Sequence, residues 1–237
     1  MTTSGTWNYN PAVSDIVVNA FGRIQIRRTE LTQQHLQDAA NEANMVQVEL
    51  SNRQPNLWTS ELYQVSLVAG TNTYTLPGRM ISPMAVYLTT TVGGVSSDRI
   101  LMPISTYEYA AQSNKMFEAP PTSYWYNKLV PPIIVLWPTP DLSTTYTLNL
   151  QMLAQPMDTV IPAGITPDIP YRWLDAFTAQ LAARLADIYP DTLIKTKGPG
   201  AVEAMWAKAE RAWTLAAAQD TEEVPMYIMP QLSGYYR

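Results

Sequence analysis

The apolar residues of this 237-residue chain recur at helical spacing near both ends and at strand spacing in the middle. Such a chain has two kinds of surface to bury: helix stripes supplied from both ends and strand faces supplied from the centre. Near the N-terminus Val17, Phe21 and Ile24 share one helical face. The pattern predicts a helix over Asp15 to Arg27, capped by Ser14 and weakened by Gly22. A longer helix is predicted after Thr29, with Leu31, His35, Ala39, Ala43, Val46 and Leu50 in one stripe. It has to stop before Pro55.

After Trp58 the period falls to two. LYQVSLV, TYTL, MAVYLTTTV, VSSDRILMPI, PPIIVLW and TTYTLNLQMLA are rich in β-branched and aromatic residues, the composition of strands. AGTN (Ala69 to Asn72) and Gly93-Gly94 lie between such runs and read as hairpin turns. STYEYAAQSN (Ser105 to Asn114) reads as a short helix among the strands. Pro120 to Asp141 holds the most apolar run. Leu129 to Trp137 falls short of the ~20 residues that cross a membrane, and Pro131 and Pro132 interrupt it. A polyproline ligand is a poor reading, because Ile133 to Trp137 forms a β core run. SYWYNK and PPIIVLWP read as two strands with their prolines at the ends. The second lacks alternation, as a strand covered on both faces does.

Helical spacing returns at Thr166, with Asp168 and Pro170 as opening residues. Trp173, Phe177, Leu181 and Leu185 form its apolar face, and Tyr189-Pro190 is expected to stop it. KTKGPG reads as a linker. Ala201 to Gln219 reads as a strong helix with a seam of Val202, Trp206, Ala209, Trp213 and Ala216. From Thr221 onward Pro225 and Pro230 forbid a helix. The fold class is therefore α+β: a helical bundle from the N- and C-terminal helices, an inserted antiparallel β sandwich or barrel, and an extended C-terminal tail. The expected boundaries are 1–58, 59–157, 158–220 and 221–237. Leu31, Ala39, Val46 and Leu50 are expected to pack against Phe177, Leu181, Trp206 and Trp213, each helix carrying one apolar stripe.

Composition narrows the function. Charged residues are 15% of the chain, against roughly 25% in an average soluble domain. The formal charge of −5 is the wrong sign for gripping phosphates. Cysteine is absent, which removes disulfides, thiolate metal sites and a cysteine nucleophile. MTTSGTWNYNP lacks the charged-then-apolar pattern of a signal peptide. The single histidine, His35, lies within a helix and reads as a satisfied side chain rather than a catalytic one. Neither a zinc-hydrolase motif nor a phosphate-binding glycine loop occurs. The expectation is a non-enzyme with no cofactor and no metal. RIQIRR clusters Arg23, Arg27 and Arg28; charge compensation at a helix end with salt bridges to a neighbour, and a subunit or DNA contact, are both readings of it.

The order of segments resembles the head-to-tail adaptor family of short-tailed phages, also known as tail accessory or tail tubular proteins. GTNTYTLPGRMISPMAVYL is similar to that family's entry into its β domain. RILMPISTYEYAAQ, APPTSYWYNKLVPPIIVLWPTPD and the closing AKAERAWTLAAAQD resemble the segments that follow. The resemblance implies a ring, commonly of twelve subunits, that binds the portal protein, extends the DNA channel and offers a platform to the tail nozzle or hub. It implies a virion protein of the neck, assembled in the host cytoplasm. Genomic DNA would pass without sequence-specific contact, and no membrane is involved. The other class of function considered is a tail-associated carbohydrate-binding β module, in which the Tyr and Trp rings stack on sugars.

Candidate contact residues follow from exposed-end chemistry. Met226, Tyr227, Ile228, Met229, Leu232, Tyr235, Tyr236 and Arg237 make the tail too apolar for a solvated end. Together with Trp7, Tyr9, Arg23, Arg27 and Arg28 they are expected to contact the portal or a neighbouring subunit. Tyr124 and Tyr126 are expected to face the tail.

Overall fold

The computed structural model describes residue 5 and residues 9–54, 56–141, 143–161 and 164–220. Its first helices are α1 (Val13–Arg23) and α2 (Gln33–Arg53). Strands β1 (Ser60–Ser66), β2 (Thr73–Thr75), β3 (Met80–Val92), β4 (Val95–Ile100) and β5 (Met102–Pro103) come next. Helix α3 (Thr106–Ala111) and strands β6 (Ser123–Asn127), β7 (Ile133–Trp137) and β8 (Thr145–Ala154) complete the middle. Helices α4 (Leu174–Ile188), α5 (Pro190–Lys197) and α6 (Ala201–Ala217) close it. The expected class is observed: mixed helix and sheet, with helices at both ends.

Helix α1 is shorter than its apolar pattern. Gln25 adopts a φ of 70°, a left-handed conformation that ends a helix. The N–H groups of Ile24 and Ile26 both return to the Phe21 carbonyl, so both isoleucines are buried. The cap of α2 is Thr32, not Thr29. Its hydroxyl accepts from the His35 N–H, and His35 Nδ1 accepts from the Thr32 N–H at 3.0 Å. His35 thus takes the capping-box position that Glu or Gln usually fills. Its ring lies 4.6 Å from that of Tyr189 and 5.5 Å from that of Phe21.

Helix α4 is buried on every side, from Leu174 and Phe177 to Ala183 and Ala186. The expectation of one apolar stripe per helix is corrected here: a helix apolar all round is a core helix. Alanines at 176, 179, 182, 183 and 186 let α1, α2 and α6 approach it closely. Its opening also differs from expectation. A short 3-10 turn, Tyr171–Trp173, precedes it, while the Asp168 carboxylate accepts from the Met157 N–H. Pro190 does not end the helical region. It opens α5 at the first helical position, where a missing N–H is harmless. Of the expected packing pairs, Ala39, Val46, Leu50, Phe177 and Leu181 are buried together, and Leu31, Trp206 and Trp213 are half-buried against them. The α6 seam runs through Ala201, Met205, Ala209 and Ala216. Trp206 sits on its shoulder and donates to Asp187 at 3.1 Å. Losing that indole costs less than the roughly 3–5 kcal/mol of a fully buried one.

The central strands form two layers around a second apolar cluster. One sheet has the order β1-β8-β3-β4, the other β2-β7-β6-β5. All pairings are antiparallel except the short β5–β6 pair. Gly93 and Gly94, with φ of 59° and 83°, make the tight β3–β4 hairpin, where both central residues need positive φ. The AGTN segment is not a hairpin. β1 and β2 belong to different sheets, and the segment crosses between layers with Gly70 N–H bound to the Pro140 carbonyl. Pro83 is accommodated at a register shift in β3, as bulges allow. β7 is buried on both faces, as its lack of alternation predicted.

Two crossings join the layers to the helices. Trp58, just ahead of β1, packs against Trp173 at 5.1 Å. After β8, Asn44 of α2 clasps Thr159, accepting from its N–H at 2.7 Å and donating to its carbonyl at 3.2 Å. Because β1 and β8 are paired neighbours, entry and exit lie side by side.

A charged network ties the helices. Arg184 on α4 bridges Glu42 and Glu49 on α2 at 3.0 and 2.8 Å. Arg53 bridges Glu49 and, on α6, Glu210 at 2.6 and 2.7 Å, and lies over the Trp213 ring. Burial raises the Glu49 carboxyl, but hydrogen bonds from Arg184 and Arg53 outweigh it, so its pKa is lowered. Such a group adds stability that is full above the unfolded glutamate value of about 4.3 and is lost as pH falls through the lower folded value. Glu49→Gln is expected to lower stability by about 1–3 kcal/mol at neutral pH and to flatten the acid limb of a melting-temperature profile. An unchanged neutral-pH melting temperature contradicts this.

Candidate assembly surfaces

The side chains of the β8 run TYTLNLQM alternate in environment. Tyr146, Leu148, Leu150 and Met152 face the core, leaving Thr147, Asn149 and Gln151 on the outer face. Pairing places Gln64 of β1 opposite Asn149 and Tyr87 of β3 opposite its other side. The result is a line of hydrogen bonds across all four strands. Gln64 Nε2 donates to Asn149 Oδ1 at 2.6 Å. Asn149 Nδ2 donates to Thr89 Oγ1 at 2.8 Å, and Thr89 donates to Asp98 at 2.6 Å. Gln151 and Ser60 are joined at 2.6 Å, and Thr91 and Ser96 at 3.1 Å. A face built this way is polar yet nearly uncharged. It ends at two edge strands, β1 and β4, and every residue of β4 is exposed.

The expected tail-facing tyrosines point inward. Tyr124 and Tyr126 pair with Leu136 and Ile134 and belong to the inter-sheet cluster. Tyr124 is 6% exposed, which corrects the expectation of it as a contact ring. Tyr126 is half-buried and donates to the Ile81 carbonyl at 3.2 Å. Burial raises the pKa of both phenols. The alternation of SYWYN carried this signal: the outward ring is Trp125, stacked under Tyr109 of α3 at 5.3 Å. α3 is fixed over that sheet by a capping box in which Ser105 N–H donates to Glu108 at 2.6 Å. That bond and the Ser105 hydroxyl lower the Glu108 pKa.

The arginines divide. Arg23 ends α1 and donates to Asp175 of α4 at 2.8 Å, a pair within the chain. Arg27 and Arg28 follow the turn at Gln25 and do not continue the α1 face; both are exposed, and neither is in an ion pair among the described residues. Tyr9 is exposed and meets Tyr171 edge-on at 6.5 Å. The two rings flank a groove of about 370 Å³ between α1 and α4, lined also by Ile16, Arg23 and Asp175. Trp7 and the tail residues Met226, Tyr227, Ile228, Met229, Leu232, Tyr235, Tyr236 and Arg237 lie outside the described residues.

Among the described residues, no group of three or more His, Asp or Glu side chains is placed to hold a metal. No helix among them is long and apolar enough to cross a membrane. Tyr189 donates to Asp38, and burial together with that carboxylate pushes its pKa up to about 12. This is a helix-to-helix clasp, with the Asp38 carboxylate already satisfied.

Tyr124→Ala is expected to cost about 3–5 kcal/mol of stability, read from denaturant unfolding. Tyr9→Ala, an exposed change, is expected to stay within about 0.5 kcal/mol. Equal effects of the two contradict the assigned orientations.

A family model described as SU10 adaptor protein matches residues 12–229, a span that takes in both apolar clusters. No curated protein matches the chain.

Proposed function

Because the chain belongs to the SU10 adaptor protein family, a family of phage head–tail adaptors, we propose that it forms a ring between the portal protein and the tail nozzle. In this reading twelve copies stand side by side in the neck of the virion. Their lumen continues the DNA channel. The helical body (1–58 and 158–220) turns toward the portal, the β domain (59–157) offers the platform for the nozzle, and residues 221–237 dock. The copies assemble in the host cytoplasm. The observation that carries the reading is the family match, which runs from the first helix into the tail segment.

The chemistry of the surface supports it. The charges that could hold DNA are few, and several arginines are already engaged: Arg23, Arg53, Arg79 and Arg184 all pair with carboxylates of the same chain. A neutral-to-acidic wall lets a duplex slide without sticking. Arg27 and Arg28 are the cations offered to acidic groups of a portal or neighbour. Tyr124 and Tyr126 serve the core and Trp125 lies beneath Tyr109, which weighs against the sugar-stacking alternative; Tyr107 stays open to solvent.

The tail supplies the test. Met226 to Met229 and Leu232, Tyr235 and Tyr236 are apolar residues, and Pro225 and Pro230 among them disfavour a helix. An extended segment of this kind binds by strand addition or by inserting its rings. A chain truncated after Asp220 is expected to fold with little change in circular dichroism and to fail to join portal-bearing heads. Normal joining by the truncated chain contradicts the docking role of 221–237 and passes that role to the helical body.

A further inference from the structure

The sheet β1-β8-β3-β4 has an even number of alternating strands and two open edges. Among the described residues, no strand lies beside β1 or β4 on its outer side. We propose that β4 of one copy pairs antiparallel with β1 of the next, so that neighbouring copies of this chain share one continuous sheet. The inference deepens the ring reading and rests on it for the occupant: a second copy in the same orientation.

Three features of the sheet fit this pairing. The first is direction. β1 and β8, β8 and β3, and β3 and β4 are each antiparallel, so β1 and β4 run in opposite senses. Repeating the sheet along its hydrogen-bonding direction brings β4 antiparallel to the next β1, with no reversal of the copy. A contact between two different edges is heterologous, the kind that builds rings.

The second is the position of the free backbone groups. Leu67 N–H binds the Tyr146 carbonyl and Leu101 N–H binds the Val86 carbonyl. In an antiparallel ladder bonded pairs alternate with non-bonded ones. With the observed registers, Leu62, Gln64 and Ser66 of β1 and Ser96, Asp98 and Ile100 of β4 therefore turn their N–H and C=O groups outward. The same residues place their side chains on the outer face. Both requirements of a bonded antiparallel pair are met together.

The third is the side chains. Facing Leu62 with Ile100 sets Gln64 opposite Asp98 and Ser66 opposite Ser96. An apolar pair, an amide–carboxylate pair and a hydroxyl pair result. Shifting by two residues puts Leu62 against Asp98 or Gln64 against Ile100. In the matched register, Gln64 of one copy and Asp98 of the next would continue across the joint the hydrogen-bond line that already spans the four strands. β1 and β4 carry neither lysine nor proline, and β4 is six residues long. Of the usual protections of a free edge, lysine and proline are missing, and the charges present are engaged within the chain: Glu61 by Arg79, Arg99 by the Pro121 carbonyl and Asp98 by Thr89.

The chain has no cysteine, so a cross-link reads the register directly. Opposed bonded residues sit about 5.5 Å apart between Cα atoms, inside the disulfide range of about 4.4–6.8 Å. Within one copy the two edges are three strand spacings apart, about 14 Å, too far to bridge. Leu62→Cys with Ile100→Cys, both exposed positions, is expected to give a ladder of covalent oligomers on oxidation. Each single variant and the out-of-register pair Leu62→Cys with Ser96→Cys are expected to give none. Adding Ser96→Pro removes an N–H that the β3–β4 hairpin leaves unused. It is expected to lower cross-linking about ten-fold, one hydrogen bond's worth, with circular dichroism unchanged. Ring assembly without the cross-link overturns the strand pairing and leaves the ring reading standing. A chain that stays monomeric, alone and beside the portal, overturns both. Dimers from Ile100→Cys alone would mean that like edges meet, and they also overturn the proposal.

Discussion

Helix α4 has no face to give to water, and the rest of the helical body is arranged around that fact. Its alanines bring α1, α2 and α6 close, and its large residues, Phe177, Leu181 and Leu185, fill the spaces between them. A short chain segment far along the sequence thereby holds both N-terminal helices to one core. The charged side chains follow the same plan. Arg184 sits on the flank of α4 and reaches two glutamates of α2, and Arg53 carries the connection on to α6. Two half-buried arginines and three carboxylates are thus kept in register with an apolar contact. Their exact worth in stability is smaller than their number suggests, since desolvation opposes pairing.

The sandwich depends on that body only at its root. Trp58 enters against Trp173, and Asn44 holds Thr159 as the chain returns. Beyond that root the layers are held by their own core and by hydrogen bonds across the outer face. The ladder from Gln64 to Asp98 gives the outer sheet a polar, nearly neutral surface. It also explains how a chain with so little charge covers itself: Ser, Thr, Asn and Gln pair with one another where charged side chains would otherwise stand. An adaptor, which meets partners on several sides, gains from a surface that neither repels nor holds them by long-range charge.

Much of this was legible in the sequence. The two changes of period placed helices at both ends and strands between, and the Gly93-Gly94 turn and the short helix after Ser105 stand where they are expected. The misreadings have definite causes. Gln25 ends α1 early with a left-handed conformation that no propensity assigns to glutamine. Pro190 looks like a stop, but proline at a first helical position is equally a start. AGTN has the residues of a hairpin, but turn residues do not say which sheet receives the next strand. SYWYN alternates, and Tyr124 and Tyr126, expected to face the tail, fall instead on the face of Leu136 and Ile134. The edge strands were less legible still. VSSDRI lacks the apolar alternation of a half-buried strand, which is the mark of an edge, but strand order is a non-local property that period alone does not encode.

Imaging the purified protein by negative stain, with and without a portal ring, tests the adaptor account most directly. Closed rings seated coaxially on the portal, with a continuous central channel, are the expected result. Isolated monomers in both samples, with the portal left bare, would contradict it.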